Sequence, residues 1–314
     1  MVFEKSFHYL GLLATIYYLF KVLRFTFLFV RPSSLPRYLH GGNSWALVTG
    51  ASSGIGLGFA QELCSRGFDV VLHGRNAAKL EGLKADLNIQ YPNRSIRIAV
   101  ADALQVDTTT SVDHLVSAVR DLHLTVLVNN IGGVAGIVSP QFKSLETHTA
   151  QEMDDTIQLN DRFATQLTRG LLPMLSRNHP SLILNVGSVV AEMSMPYLSV
   201  YAAAKAYDMA FSSNLAAEMK AEGRDVEVLG ILVGNVQTEG RQGLSTSIMT
   251  PSGRTMASAA LERVGCGRSV VPGYLPHALQ KATMDCLPAA LVGGFLEKEA
   301  IRLRDHAAMA SKSE

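Results

Sequence analysis

Three side chains near the middle of the chain have the types and spacing of a proton-transfer site. Tyr201 and Lys205 are four residues apart, and Ser188 lies thirteen residues before Tyr201. In a helix, residues i and i+4 share one face, which would set the Lys205 ammonium close to the Tyr201 phenol. A phenol titrates near ~10, and a cation within ~4–6 Å favours the phenolate and so eases proton transfer near neutral pH. Ser188 could then hold a carbonyl oxygen that is being reduced or formed.

The same spacing also occurs in ordinary surface pairs, so the rest of the chain has to decide between the two interpretations. The stretch Thr49–Gly56 reads Thr-Gly-Ala-Ser-Ser-Gly-Ile-Gly and follows a short apolar run. Between a strand and a helix, such glycines let the backbone approach a pyrophosphate, and the helix N-terminus supplies N–H donors and a partial positive charge. This context predicts a dinucleotide site formed by Gly50, Ser52, Ser53, Gly54, Ile55 and Gly56.

The end of the second predicted strand indicates which dinucleotide would bind. An acidic residue there would bind the ribose hydroxyls of NAD. This chain has Gly74 followed by Arg75, and a planar guanidinium suits a 2′-phosphate. The pattern favours NADPH (or NADP+) over NADH, although Arg75 could also be a solvated residue at the start of the next helix. Asp102 is placed to accept from the adenine amine, or it is a simple turn aspartate.

Short apolar runs alternate with amphipathic stretches from Trp45 onwards, as in βαβ units with a parallel sheet. The predicted fold class is α/β, with a single Rossmann-type doubly wound parallel sheet and an N-terminal hydrophobic helix. A lid is expected near 237–260, where Gly, Ser and Thr are frequent, and a C-terminal cap from Leu279. The predicted strands are Trp45–Thr49, Asp69–His73, Ser95–Ala101, Leu124–Asn129, Ser181–Val186, Asp225–Val233 and Ser269–Gly273, and the predicted helices are Gly56–Arg66, Ala77–Gln90, Thr109–Asp121, Gln151–Leu175 and Val200–Glu222.

Composition excludes several other classes of protein. The net charge of the 314 residues is +1, and no basic run suits a nucleic-acid surface. The three cysteines are widely spaced, and the nine histidines include no His-Glu-x-x-His motif or paired ligand spacing. We therefore expect neither a disulfide framework nor a metal site.

The N-terminal segment predicts membrane attachment. Phe7 to Val30 is long enough to cross a bilayer of ~30 Å, with Lys21 and Arg24 as its two internal charges. A hairpin or an in-plane helix is the alternative to a spanning helix. The basic residues that flank its C-terminal side place the main domain in the cytosol by the positive-inside rule. We thus expect a membrane anchor over 1–31, a linker over 32–44 and a catalytic domain over 45–314.

The motifs taken together resemble those of the short-chain dehydrogenase/reductase family. Besides the glycine-rich loop they comprise Asn129-Asn-Ile-Gly132, Asn160, Ser188, the Tyr201–Lys205 pair and a segment from Val233 to Thr238, where Val233 replaces the family's proline. The resemblance implies that Tyr201 donates the proton, Lys205 activates it and binds the nicotinamide ribose, Ser188 stabilises the substrate oxygen and Asn160 holds a water. It also implies that Asn129, Val236 and Thr238 bind the cofactor.

A narrower resemblance is to the microsomal very-long-chain 3-oxoacyl-CoA reductases and the related 17β-hydroxysteroid dehydrogenases. It rests on the N-terminal anchor and on the stretches Met195–Lys205 and Gly273–Ala278. It implies an endoplasmic reticulum enzyme that reduces a lipophilic ketone with NADPH, either a 3-oxoacyl-CoA in fatty acid elongation, a steroid or a secondary metabolite. A homodimer through the helices that contain Asn160 and Tyr201 is expected. The alternatives are a catalytically silent dinucleotide-binding scaffold and a soluble dehydrogenase.

Overall fold

Seven parallel strands form one sheet. The computed structural model describes residues 2–41, 43–104, 108–238 and 245–310. The strands are β1 Trp45–Val48, β2 Asp69–Gly74, β3 Ile96–Val100, β4 Leu124–Asn129, β5 Ser181–Val186, β6 Val226–Leu232 and β7 Val270–Pro272. Their order in the sheet, β3-β2-β1-β4-β5-β6-β7, places β1 and β4 next to each other at the centre, where the direction of winding reverses. The prediction of a doubly wound parallel sheet is confirmed.

The strands are apolar on both faces because helices cover both sides of the sheet. Every residue of β4 and β5 is buried. The ten α-helices of the described residues are α1 Val2–Val30, α2 Gly54–Ser65, α3 Ala77–Gln90, α4 Thr108–Val119, α5 Ala150–Ile157, α6 Phe163–Arg177, α7 Ser199–Ala221, α8 Gly253–Leu261, α9 Leu275–Cys286 and α10 Ala289–Ala310. One apolar cluster lies between the sheet and α2, α3 and α8, and another lies between the sheet and α4, α6 and α7.

The stretch predicted as one helix over Gln151–Leu175 is interrupted. Helices α5 and α6 are joined by a π-helical segment, Gln158–Arg162, which contains Asn160. A π segment inserts an extra residue into the helical turn and occurs frequently at functional sites. The hydrophobic period of 3.6 residues gave no sign of it.

The last part of the segment expected to be a lid is a core helix. Met256, Ala257, Ala260 and Leu261 of α8 are at most 1% exposed. A Cβ added to Gly58 of α2 would lie 2.5 Å from the carbonyl oxygen of Gly253, so glycine is required for the two helices to pack. The small residues suggested a loop, but they serve close helix packing. Residues 239–244 of the expected lid lie outside the described residues.

Helix α1 leaves most of its apolar side chains exposed and is joined to the domain at its end. Within the described residues, Ser6–Val30 is long and apolar enough to cross a membrane. Leu28 is buried, and its carbonyl accepts a hydrogen bond from Arg263. Arg268 donates to the carbonyl of Arg24 at 3.1 Å. The C-terminal end of α1 is therefore held against the domain, and the rest of the helix projects away from it.

The segment that follows, expected as a linker over 32–44, is packed into the domain over much of its length. Leu35 and Tyr38 are each 1% exposed. The hydroxyl of Ser33 donates to the carbonyl of Leu261 at 2.6 Å, and the Tyr38 hydroxyl donates to Glu227. We call residues 33–38 the strap, because they fasten α1 to α8 and β6.

We predict that Leu35→Ala lowers the free energy of unfolding by about 2–5 kcal/mol, the usual cost of truncating a fully buried leucine. Ile89→Ala is the matched control, since Ile89 is 81% exposed and should change stability by about 0.5 kcal/mol or less. Thermal or denaturant unfolding of the purified protein measures both. Equal effects of the two substitutions would show that the strap is not part of the core.

Candidate active site

A cavity of about 410 Å³ opens at the carboxyl ends of the strands, where ligands bind in open α/β sheets. The loops after the six strands β1 to β6 form its walls, together with the start of α7. Twelve of the residues predicted from the sequence line this cavity. They are Gly50, Ser52, Ser53, Gly54, Ile55, Arg75, Asp102, Ser188, Tyr201, Lys205, Val236 and Thr238.

The glycine-rich loop leads directly into helix α2. Gly50 and Gly54 have φ angles of 64° and 56°, in the left-handed region that other residues rarely adopt. Helix α2 begins at Gly54, two residues earlier than predicted. Its first N–H groups have no partners within the helix and carry partial positive charge. The loop therefore offers the cavity an anion-binding helix terminus of the kind that binds a pyrophosphate.

Gly56 is one predicted cofactor residue that does not line the cavity. A Cβ at this position would lie 2.6 Å from the Asn130 amide nitrogen and against the Gly50 carbonyl. Asn130 itself donates from Nδ2 to the carbonyl oxygen of Thr49 at 3.0 Å. Gly56 thus lets the loop after β1 and the loop after β4 pack together.

Asn129, also predicted to bind the cofactor, lies in the interior, whereas its neighbour Asn130 lines the cavity. The Asn129 amide donates to Thr168 Oγ1 at 2.9 Å and to Asn185 Oδ1 at 2.8 Å. Asn129 is the last residue of β4, in which every residue is buried, whereas Asn130 begins the loop that follows the strand. The end of the strand therefore separates the interior asparagine from the one at the cavity.

Arg75 and Asp102 lie at the part of the cavity formed by the second and third strands. Arg75 is exposed, and among the described residues it makes no ion pair. Asp102 is half-buried, and its Oδ1 accepts the N–H of Leu104 at 3.0 Å. A guanidinium and a carboxylate of this kind suit a phosphate and an amine of a nucleotide.

Ser188, Tyr201 and Lys205 all lie on the cavity wall. Ser188 caps a 3₁₀ turn, Val189–Glu192, and its Oγ accepts the N–H of Val190 at 3.3 Å. Tyr201 is half-buried near the start of α7. Lys205 Nζ is 6.0 Å from the centre of the Tyr201 ring. The helix therefore brings the phenol and the ammonium together, as the four-residue spacing predicts.

Asn160 lies behind the wall, 1% exposed. Its Oδ1 accepts the N–H of Gly133 at 2.8 Å, and its Nδ2 donates to the carbonyls of Gly133 and Thr156 at 2.9 and 2.8 Å. A Cβ on Gly132 would lie 2.7 Å from Asn160 Oδ1 and 2.9 Å from Lys205 Nζ. Asn160 and Lys205 thus converge on the loop after β4, and Asn160 fixes the shape of that loop.

His277, from the Gly273–Ala278 stretch, supports the loop after β6. Its Nδ1 accepts the N–H of Gly234 at 3.1 Å, so its Nε2 carries the proton that is donated to the Met249 carbonyl at 3.2 Å. Burial lowers the pKa of His277, which keeps the ring neutral. Sequence reasoning gave this histidine no role.

Lys205 has a buried acidic partner that sequence reasoning also missed. Its Nζ donates to Asp208 Oδ2 at 2.8 Å. Burial by itself lowers the pKa of Lys205, but the attraction of Asp208, Tyr201 and Asp161 raises it above its ordinary value. Burial raises the pKa of Asp208, and the Lys205 ammonium opposes that effect. The i, i+3 spacing on a helix was the available signal.

Asp161, next to Asn160, is a second carboxyl group that interacts with Lys205. Burial and the charge of Asp208 raise the pKa of Asp161 to about 7. Among the described residues its Oδ1 is buried without a hydrogen-bond partner. The Lys205 ammonium therefore interacts with two carboxyl groups and with the Tyr201 phenol.

The chain is similar to known proteins over most of its length. The short chain dehydrogenase family model matches residues 44–248. The very-long-chain 3-oxoacyl-CoA reductase let-767 of Caenorhabditis briggsae is 30% identical over 84% of this chain and 81% of its own. The very-long-chain 3-oxoacyl-CoA reductase of Scheffersomyces stipitis is 33% identical, over 76% of this chain and 69% of its own.

A solved structure has the same fold. The short-chain dehydrogenase from Sphingobium yanoikuyae in complex with NADPH superposes with a TM-score of 0.62 at 25% identity, covering 78% of this chain and 96% of its own. The matched region contains the glycine-rich loop and all four residues Asn160, Ser188, Tyr201 and Lys205. This chain therefore belongs to the short-chain dehydrogenase family of oxidoreductases.

Proposed function

We propose that the protein is a membrane-anchored, NADPH-dependent ketoreductase that converts a 3-oxoacyl-CoA to a 3-hydroxyacyl-CoA. One observation carries the reaction class: Ser188, Tyr201 and Lys205 line the same cavity as the glycine-rich loop and Arg75. The first three residues suit proton delivery to a carbonyl oxygen, and the other two suit a phosphorylated dinucleotide.

The residues present fit NADPH. The pyrophosphate would lie at the N-terminus of α2. Arg75 would pair with the 2′-phosphate, because no acidic residue of the described chain forms an ion pair with Arg75. Asp102 would accept from the adenine amine, Thr238 and Val236 would lie by the nicotinamide, and Lys205 would bind its ribose. When bound, the nicotinamide supplies the hydride that is added to the carbonyl carbon.

The remaining chemistry belongs to this chain. Ser188 donates a hydrogen bond to the substrate carbonyl oxygen and so stabilises the negative charge that develops there. As the carbon–oxygen π pair moves to the oxygen, Tyr201 transfers its phenolic proton to it, giving the alcohol and a phenolate. The Lys205 ammonium stabilises that phenolate. A solvent proton then restores the phenol, through the water that we propose Asn160 positions.

The substrate assignment is supported by the names of the reductases from Caenorhabditis briggsae and Scheffersomyces stipitis. A steroid ketone is the second candidate, because a Caenorhabditis elegans relative named "Putative steroid dehydrogenase 3" is 28% identical over 90% of this chain. Both substrates are lipophilic ketones. A panel of 3-oxoacyl-CoA thioesters of graded chain length and steroid ketones, scored by kcat/KM, distinguishes them.

We predict that Lys205→Met lowers kcat for ketone reduction by roughly 10²–10⁴-fold, the usual contribution of general acid–base catalysis. Tyr201→Phe, which removes only the hydroxyl, should have an effect of the same order. The exposed Lys220 on the same helix provides the control, and Lys220→Met should keep the normal rate. NADPH oxidation followed by absorbance measures all three. Near-normal turnover by Lys205→Met would refute the mechanism, and NADPH binding without oxidation by any ketone would favour a scaffold.

We predict that Arg75→Ala lowers the preference for NADPH over NADH by about tenfold or more, since a charge-assisted contact to the 2′-phosphate contributes about 1.5–3 kcal/mol. The ratio of kcat/KM for the two cofactors is the measurement. Arg177→Ala removes an exposed arginine from the far end of α6 and should leave the ratio unchanged. An unchanged ratio in Arg75→Ala would mean that Arg75 does not select the cofactor.

We further propose that α1 anchors the protein in the endoplasmic reticulum membrane with the catalytic domain in the cytosol. Leu12, Leu13, Ile16 and Leu19 of α1 are each more than half exposed, and exposing such side chains to water is unfavourable. Lys21 and Arg24 lie near the C-terminal end of the helix, where long side chains reach the interface. The expected homodimer remains a prediction.

We predict that the full chain stays in the membrane pellet after alkaline carbonate extraction. Replacing Leu12, Leu13 and Ile16 by Lys should release it to the supernatant, because each charge near the helix centre costs about 2.5–3.5 kcal/mol on insertion scales. Ile89→Lys, an exposed position on α3, is the control and should stay in the pellet. Release of the unmodified chain would instead indicate a soluble dehydrogenase.

A further inference from the structure

The ion pair between Lys205 and Asp208 is buried almost completely. The two side chains are 4% and 10% exposed, and Nζ lies 2.8 Å from Oδ2. Asp208 follows Lys205 by three residues on α7, so both project from the same face of one helix. Among the described residues, Asp208 is the acid that accepts a hydrogen bond from Lys205.

A buried ammonium needs such a partner to remain charged. Burial disfavours the charged form of a lysine, and an unpaired lysine in a protein interior releases its proton at a lower pH. The mechanism requires the ammonium, since a neutral amine cannot stabilise the Tyr201 phenolate. Whatever keeps Lys205 charged therefore controls the proton transfer at Tyr201.

Hydrogen bonds to residues of the sheet fix the position of Asp208. Its backbone carbonyl accepts the hydroxyl of Ser212 at 2.7 Å, and Ser212 Oγ accepts from Asn185 Nδ2 at 2.8 Å. Asn185 in turn accepts from Asn129 at 2.8 Å. This chain of hydrogen bonds ties the turn of α7 that carries Asp208 to the ends of β5 and β4.

Three charged or titratable groups face Lys205: Asp208 and Tyr201 from α7, and Asp161 from the π segment. Asp161 attracts the ammonium only from a distance, since the hydrogen bond of Lys205 goes to Asp208. Asp161 therefore does not replace Asp208, either as a hydrogen-bond acceptor or as a guide for Nζ.

We propose that Asp208 is a positioning residue of the proton-transfer site, which keeps Lys205 charged in the protein interior and directs its Nζ towards Tyr201 and the ribose site. The proposal rests on the reductase function proposed above, and it adds to the four family residues a residue that acts through Lys205.

The first test is the pH profile of ketone reduction by Asp208→Asn and Asp208→Glu. Asparagine keeps the shape and an acceptor oxygen but loses the charge. We expect kcat to fall about tenfold or more and its alkaline limb to move down by about one pH unit or more, because the ammonium is lost at lower pH. The KM for the ketone should change less than about threefold, and glutamate should restore kcat to within about fivefold. Glu218→Gln, an exposed acid on the same helix, is the control.

Two results would overturn the proposal. One is a kcat for Asp208→Asn within about threefold of the unmodified enzyme with an unshifted alkaline limb. The other is an equal loss in Asp208→Asn and Asp208→Glu with no change in either pH profile, since a purely structural role predicts that result. If Asp208→Asn does not fold, Asp208→Ser, which also removes the carboxylate, takes its place with the same expected loss of kcat and the same shift of the alkaline limb.

The second test does not depend on activity. The thermal unfolding midpoints of the full chain, Lys205→Met, Asp208→Asn and the double variant form a double-mutant cycle. Each single variant leaves one buried group without its partner, so the double variant should unfold at a higher temperature than either. Additive losses would overturn the pairing. If the unmodified enzyme reduced no ketone, the proposed function would fail, and this cycle would still test the ion pair. If the unmodified enzyme were active and Asp208→Asn had the same activity and pH profile, only the proposed role of Asp208 would fail.

Discussion

The single direction of the seven strands is the constraint on which the site depends. Because all strands are parallel, their carboxyl ends meet at one edge, and the loops after β1 to β6 contribute to the same cavity. Residues as far apart in sequence as Gly50 and Thr238 meet there. The helices on both faces exclude water from the strands. Polar backbone groups and side chains are therefore accessible to a ligand at the edge of the sheet.

Behind this edge the protein has a polar, hydrogen-bonded interior. Asn129, Asn185 and Ser212 link β4, β5 and α7 by hydrogen bonds, and Lys205 and Asp208 lie at the end of that link. Unpaired polar groups would be costly in such a place. Through these hydrogen bonds the sheet holds the Lys205 ammonium in a fixed position near the Tyr201 phenol.

The fold and most residues of the candidate site could be predicted from local patterns, whereas the surroundings of these residues could not. Strand alternation, the glycine-rich loop and the Tyr201–Lys205 spacing are encoded within a few residues. The π segment around Asn160, the burial of the helix that begins at Gly253 and the interior hydrogen bonds of Asn129 depend on contacts between distant elements. Asp208 appeared in the sequence as an ordinary helical aspartate, because burial is a property of the packed structure.

The strap of residues 33–38 has a mechanical consequence. A flexible tether would let the domain turn freely relative to α1, but Leu35 and Tyr38 are buried in the core. The C-terminal end of α1 is thus held against the domain, where Arg263 and Arg268 donate hydrogen bonds to its carbonyl groups. The angle between this end of the helix and the mouth of the cavity is therefore set by the fold and not by the length of a linker.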